Sequence, residues 1–220
     1  MTTASGSAPD AFDSPGAFDA FDAFDAVVLA GGAARRLGGT DKPALRIGGS
    51  TLLDRVLAGC AGARTTIVVG PERRTVRPVR WVREQPPGGG PVAAIAAALP
   101  LVTADTVLLL AADLPFFAAA TAARLLAALD DGAAGPAGAA GPAAAVLTDA
   151  DGRAQPLAAA YRTAPLRAAL ARLPEPAGLA LRRLVGELPT RQLADVDRAA
   201  EDCDTWEQVE LAEERARGTG

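Results

Sequence analysis

A run of small residues carrying cations, Gly31-Gly32-Ala33-Ala34-Arg35-Arg36-Leu37-Gly38-Gly39-Thr40-Asp41-Lys42, follows directly on the apolar stretch Ala26 to Ala30. Small residues let backbone N–H groups close on a phosphate, and Arg36 and Lys42 bring positive charge to the same loop. Polyphosphate is the ligand that suits this chemistry. The spacing matches neither the Gly-x-Gly-x-x-Gly of dinucleotide binders nor the Gly-x-x-x-x-Gly-Lys-Ser/Thr of P-loop proteins. The plain alternative is a glycine turn with solvated Arg and Lys.

A second feature lies far along the chain. Val107 to Ala111 is wholly apolar, and Asp113 follows after one further alanine. A carboxylate delivered to the end of a buried strand is costly unless paired, and a bound cation would pair it. An N-cap role for the helix that follows is the competing local explanation. Asp202 and Asp204 are candidates for a second carboxylate, although Asp204 also suits the N-cap of a helix starting at Thr205.

Composition narrows the chemistry further. The 220 residues contain no histidine, so Ser-His-Asp or Cys-His catalysis and a His-ligated zinc are excluded. Catalysis here would rest on carboxylates, Arg, Lys, backbone and metal. Lys42 is the single lysine among 22 basic residues, which points to a position needing a compact ammonium. A net charge of −4 with scattered Arg argues against nucleic-acid binding. Cys60 and Cys203 are far apart and form no Cys-x-x-Cys pair, so both read as buried small hydrophobes. No apolar stretch is long enough to span a membrane and no basic start opens a signal peptide, which predicts a cytoplasmic protein.

The elements that must position these groups alternate along the chain. Ala26 to Ala30, Thr66 to Val69, Val79 to Val82 and Val107 to Ala111 read as strands, most of them continuously apolar as buried parallel strands are. Ser50 to Ala61, Pro91 to Leu99 and Ala118 to Leu129 read as helices. Beyond them come Leu157 to Tyr161, helices near 165–172 and 179–185, a strand near 190–193, and a terminal helix from Thr205. The alternation predicts a three-layer α/β/α sandwich around a mainly parallel sheet, with ligands beyond the strands' carboxyl ends. One domain over 25–217 is expected. Residues 1–24, with repeated Ala-Phe-Asp, read as a low-complexity, disordered tail, and the Gly/Pro/Ala-rich 130–145 reads as a flexible loop.

Taken together, Leu29-Ala30-Gly31-Gly32-x-x-x-Arg36-Leu37-Gly38-Gly39-x-Asp41-Lys42 resembles the signature of nucleotidyltransferases of glycosyltransferase-A-like, nucleotide-diphospho-sugar transferase-like fold, above all the molybdenum cofactor guanylyltransferases. The likeness extends through Gly88-Gly89-Gly90-Pro91-Val92-Ala93, Ala112-Asp113-Leu114-Pro115, Gln155-Pro156-Leu157 and Asp202-Cys203-Asp204-Thr205, covering about 25–215. It implies transfer of GMP from GTP to the terminal phosphate of molybdopterin with release of pyrophosphate. It further implies Mg2+ held by Asp113, with Asp204 or Asp202 as the second carboxylate, Asp204 slightly preferred, and a transient molybdoenzyme or chaperone partner. Arg36 and Lys42 would grip the outer phosphates. Leu29, Ala30, Gly31 and Gly32 would lie against the nucleotide, and Glu84, Gly90 and Pro91 would border base and ribose. Glu84 stands where the family commonly has Asp, and Gly70 where relatives often carry a polar side chain, so the base contact at each differs from the family pattern. The acceptor phosphate is itself a nucleophile largely ionised at neutral pH, in keeping with a chain that lacks histidine. Transfer of CMP, transfer to another phosphorylated small molecule, and a non-catalytic nucleotide-binding accessory role are the alternatives.

Overall fold

The computed structural model describes residues 23–31, 40–130 and 141–218. In chain order they form β1 (Phe24–Leu29), a 3-10 turn at Lys42–Ala44, the short strands β2 (Arg46–Ile47) and β3 (Ser50–Thr51), and α1 (Leu52–Gly59). Then come β4 (Thr66–Val69), β5 (Arg80–Val82), α2 (Gly90–Ala98), β6 (Thr106–Ala111) and α3 (Ala119–Asp130). The second half supplies β7 (Ala144–Thr148), β8 (Ala154–Arg162), α4 (Thr163–Ala171), α5 (Arg182–Val185), β9 (Thr190–Ala194) and α6 (Trp206–Gly218).

Seven strands form one sheet in the order β5-β4-β1-β6-β8-β7-β9, while β2 and β3 pair separately as a hairpin. Four of the six pairings in the sheet are parallel; β8 runs antiparallel to both β6 and β7. The mainly parallel α/β architecture read from the sequence is therefore the observed one.

The apolar strands are buried on both faces because successive side chains point to opposite sides. Val28, Val68, Leu108 and Leu110 pack with Leu53, Val56 and Leu57 of α1 and Leu125 and Leu126 of α3. Their neighbours Val27, Ile67, Val69, Val107 and Leu109 pack on the other side with Val92 and Ile95 of α2 and Leu166 of α4. A smaller core joins Ile47 and Leu52 to Cys203, Val209 and Ala212, docking α6 on the β2–β3 hairpin. Both cysteines are buried, as expected. Among the described residues, no helix is long and apolar enough to cross a membrane.

Three boundaries differ from the sequence expectations. Phe24, assigned to the tail, is buried in β1, and Asp25 beside it is wholly buried. The last copy of the tail's tripeptide is thus a core strand, because its Phe packs beside Ala26 and Val28. Ala144 and Ala145, assigned to the flexible loop, are buried residues of β7, and Asp130 belongs to α3; residues 131–140 lie outside the described residues, as does the tail through residue 22. Finally, Ser50 and Thr51 form β3 rather than the start of α1. Thr51 is instead the N-cap, its side chain accepting a hydrogen bond from Asp54 N at 3.0 Å.

Candidate functional site

Register decides where the chemistry gathers. β1 and β6 run parallel and in step from Phe24 opposite Thr106 to Leu29 opposite Ala111, so both strands end at one level. Beyond that level Ala30 N donates to Val69 O (2.8 Å), Ala112 N donates to Leu29 O (3.0 Å), and Gly70 N donates to Val82 O (3.0 Å). These bonds carry the parallel ladder one residue past each strand and bring Gly31 and Asp113 to the same rim.

A cleft of about 680 Å³ opens there. Of the residues expected at a site, Leu29, Gly31, Lys42, Glu84, Gly90, Pro91, Asp113 and Asp204 all line it. Ala30 does not; it is buried and serves the ladder. Gly32 and Arg36 lie outside the described residues. Val69, Ala94, Ala111 and Leu157 line the cleft without having been expected to. Val69 and Ala111 are the last residues of their strands, so the rule that ligands sit beyond the carboxyl ends of parallel strands could have found them.

At one wall, Lys42 bridges two carboxylates. Its ammonium donates to Asp113 Oδ2 and, at 2.5 Å, to Asp204 Oδ1. The lysine side chain is only 12% exposed, and burial works against its charge, yet the charges and hydrogen bonds of Asp113 and Asp204 prevail and hold its pKa above the ordinary value. Two carboxylates around one ammonium leave the cluster net negative. The other carboxylate oxygen, Asp113 Oδ1, is buried with no hydrogen-bond partner among the described residues. A buried carboxylate oxygen left so is expensive, and a divalent cation offers what a lysine shared by two acids does not. The residues present therefore fit a cation.

In the local chain neither acid is taken up in capping a helix. α3 begins at Ala119, six residues past Asp113, and the Asp113 carboxylate goes to Lys42, so the N-cap reading of Asp113 is set aside. At α6 the cap is Thr205, not Asp204. Thr205 Oγ1 accepts from Gln208 N (3.3 Å) while Gln208 Oε1 accepts from Thr205 N (2.9 Å), a reciprocal capping box. Asp204 is thereby directed at Lys42. Asp202 lies near enough that burial first, then the charges of Asp204 and Asp113, raise its pKa. Cys203 between them is pushed up to about 12, mainly by burial.

Glu84 and Gly88 also line the cleft. Glu84 Oε1 accepts from Gly88 N at 3.0 Å, so this side chain braces the glycine turn that leads into α2. Gly70 is not a side-chain contact in disguise: at φ +147° its Cα packs on the strand next door, and a Cβ there would fall 2.8 Å from Ala30 O. The position requires glycine because the Ala30–Gly31 backbone passes directly over it.

An α/β protein whose parallel strands end together at a cleft lined by Gly31, Gly88 and Gly90, with a lysine and two aspartates at the rim, has the frame of a nucleotide-binding fold of the nucleotide-diphospho-sugar transferase type. The chain belongs to the family of the MobA-like NTP transferase domain, whose model matches residues 26–193. It is 42% identical over 103 residues to a probable molybdenum cofactor guanylyltransferase of Synechococcus elongatus, covering 43% of this chain and 53% of that protein. The chain thus spans about half the length of the curated relatives it matches. Among solved structures it is similar to molybdopterin-guanine dinucleotide biosynthesis protein A from Archaeoglobus fulgidus, with a TM-score of 0.67 and 21% identity over 88% of this chain and 99% of that one. It is also similar to 2-C-methyl-D-erythritol 4-phosphate cytidylyltransferase from Thermus thermophilus, with a TM-score of 0.64 and 22% identity over 87% and 98%. At these identities the two structures share the fold.

Proposed function

We propose that this chain is a nucleotidyltransferase that moves GMP from GTP to the terminal phosphate of molybdopterin and releases pyrophosphate. The observation that carries the reading is the pairing of Lys42 with Asp113 at the rim, with a second Asp113 oxygen buried and unpartnered among the described residues. Family membership and the names of the curated relatives support the choice of chemistry.

In this reading Asp113 and Asp204 would hold Mg2+, which typically takes one or two carboxylates and completes its shell with phosphate oxygens and water. When bound, the ion would neutralise phosphate charge during transfer. The remaining steps belong to the chain. Lys42, held charged by its two acids, turns toward the outer phosphates and stabilises the departing pyrophosphate, joined by Arg36. Gly31 lets the backbone approach the nucleotide, and the Gly88–Gly90 turn braced by Glu84 borders the base and ribose. The acceptor phosphate attacks the α-phosphorus, a P–O bond to it forms, and the bond to the β-phosphate oxygen breaks, the electron pair leaving with pyrophosphate.

The test is incubation of the full chain with molybdopterin, Mg2+ and GTP or CTP in parallel, following pyrophosphate and the mass of the dinucleotide product. The guanine product is expected from GTP only. A cytosine product would change the base, and nucleotide binding without pyrophosphate would favour the accessory role.

A further inference from the structure

The β4–β5 connection carries Arg73, which does not line the cleft and matches no feature singled out in the sequence, yet it grips the cleft's phosphate-type loop from outside. Its Nε donates to Asp41 Oδ1 (3.1 Å) and Oδ2 (2.8 Å), and its Nη2 donates to Asp41 Oδ1 (2.5 Å). The remaining arm, Nη1, donates to Pro71 O of its own connection at 2.8 Å. Arg73 is 15% exposed at its side chain and Asp41 51%, so the pair is sheltered on the arginine side. Bidentate guanidinium–carboxylate geometry of this kind fixes orientation as well as distance.

The grip is rigid at both ends. The connection is fastened to α1, because Val76 N donates to Asp54 Oδ1 (2.9 Å), and Thr51 Oγ1 donates to the other oxygen of the same carboxylate (2.7 Å). At the far end, Asp41 O accepts from Ala44 N (2.9 Å) and so opens the 3-10 turn whose first residue is Lys42. A path of hydrogen bonds and short backbone segments therefore runs from α1 through residues 73–76 and Asp41 to the lysine that meets Asp113 and Asp204. Charge adds a second consequence. An unpaired Asp41 carboxylate beside Lys42 would repel a triphosphate, and Arg73 cancels it without entering the cleft.

We infer that Arg73 is a positioning residue that sets Lys42 for the outer phosphates of the nucleotide and masks the charge of Asp41. The inference rests on the cleft being a nucleoside triphosphate site. Titration calorimetry of the full chain with GTP and with GMP, each with Mg2+, tests it in the wild type, Arg73→Ala, Asp41→Asn and the double variant, with thermal melts alongside. Arg73→Ala is expected to weaken GTP by at least about tenfold, the scale of a charged hydrogen bond, while leaving GMP within about twofold. Asp41→Asn added to Arg73→Ala should recover part of the GTP affinity, because the unmasked carboxylate is gone. Equal GTP affinity in Arg73→Ala and wild type, or a matching loss for GMP with a lowered melting temperature, overturns the inference alone. A folded wild type that binds neither nucleotide overturns the proposed function and, with it, this role for Arg73.

Discussion

Two aspartates on neighbouring parallel strands occupy opposite edges of the sheet and live in opposite circumstances. Asp25, near the start of β1, is completely buried, and its carboxylate accepts from Thr65 N (3.0 Å), Thr103 N (2.6 Å) and Ala104 N (2.9 Å). Both of its oxygens are satisfied by backbone, and in return it ties together the loops that lead into β4 and β6. Asp113, just past the end of β6, has one oxygen on Lys42 and the other buried with no partner among the described residues. The lesson is that burial of a carboxylate does not by itself mark a site. A carboxylate whose hydrogen bonds are complete holds the fold, and one whose bonding is incomplete at the carboxyl edge of parallel strands is available to a ligand.

The contrast can be broken most severely at Asp25. Asp25→Ala would strip three amides of the carboxylate they share inside the fold, and a loss of about 3–5 kcal/mol is expected by denaturant unfolding. A loss below about 1 kcal/mol would mean that the amides find other partners. At the rim, Gly70→Ala would drive a methyl group onto the Ala30 carbonyl in a backbone region that favours glycine. It should cost about 2 kcal/mol in the same assay and weaken GTP binding besides, since the displaced backbone is the one entering the glycine-rich loop. Thr205→Ala removes one half of the α6 capping box, at about 1 kcal/mol, and frees Asp204 to turn away from Lys42. The smallest effect concerns pH. The hydrogen bond from Arg73 holds Asp41 below its usual value of 3.8, so the pair contributes stability above that pH that is lost as pH falls through the lowered value. Acid unfolding curves of wild type and Arg73→Ala should therefore draw together in that range and stay separated at neutral pH.

The strands that build the rim were legible because β1, β4 and β6 are nearly unbroken apolar runs, and only parallel strands covered on both faces need that pattern. β7 was hidden: Ala144 and Ala145 merge with a Gly/Pro/Ala tract, and alanine signals a strand only through the tertiary burial it receives. Phe24 and Asp25 were hidden inside a repeat whose earlier copies share their residues. In the cleft, Lys42, Asp113 and Asp204 could be singled out by type and by a family pattern. Their mutual contact spans 71 and 162 positions of sequence, which only the sheet register resolves. The Arg73 grip on Asp41 left no sequence signal for the same reason, and Gly70 stood out as an unusual residue while its cause, a backbone passing overhead, is purely three-dimensional.

The central claim is that the Asp113 carboxylate takes part in holding a cation-loaded nucleotide. Water-proton relaxation with Mn2+ as the reporter, measured on the full chain with GTP, addresses it directly. Wild type should form a Mn2+–GTP complex, and Asp113→Asn, shown folded by its melt, should lose at least about tenfold of that metal-dependent affinity, since even outer-shell partners of a metal site carry as much. A folded Asp113→Asn protein that binds Mn2+–GTP as tightly as wild type would contradict the account.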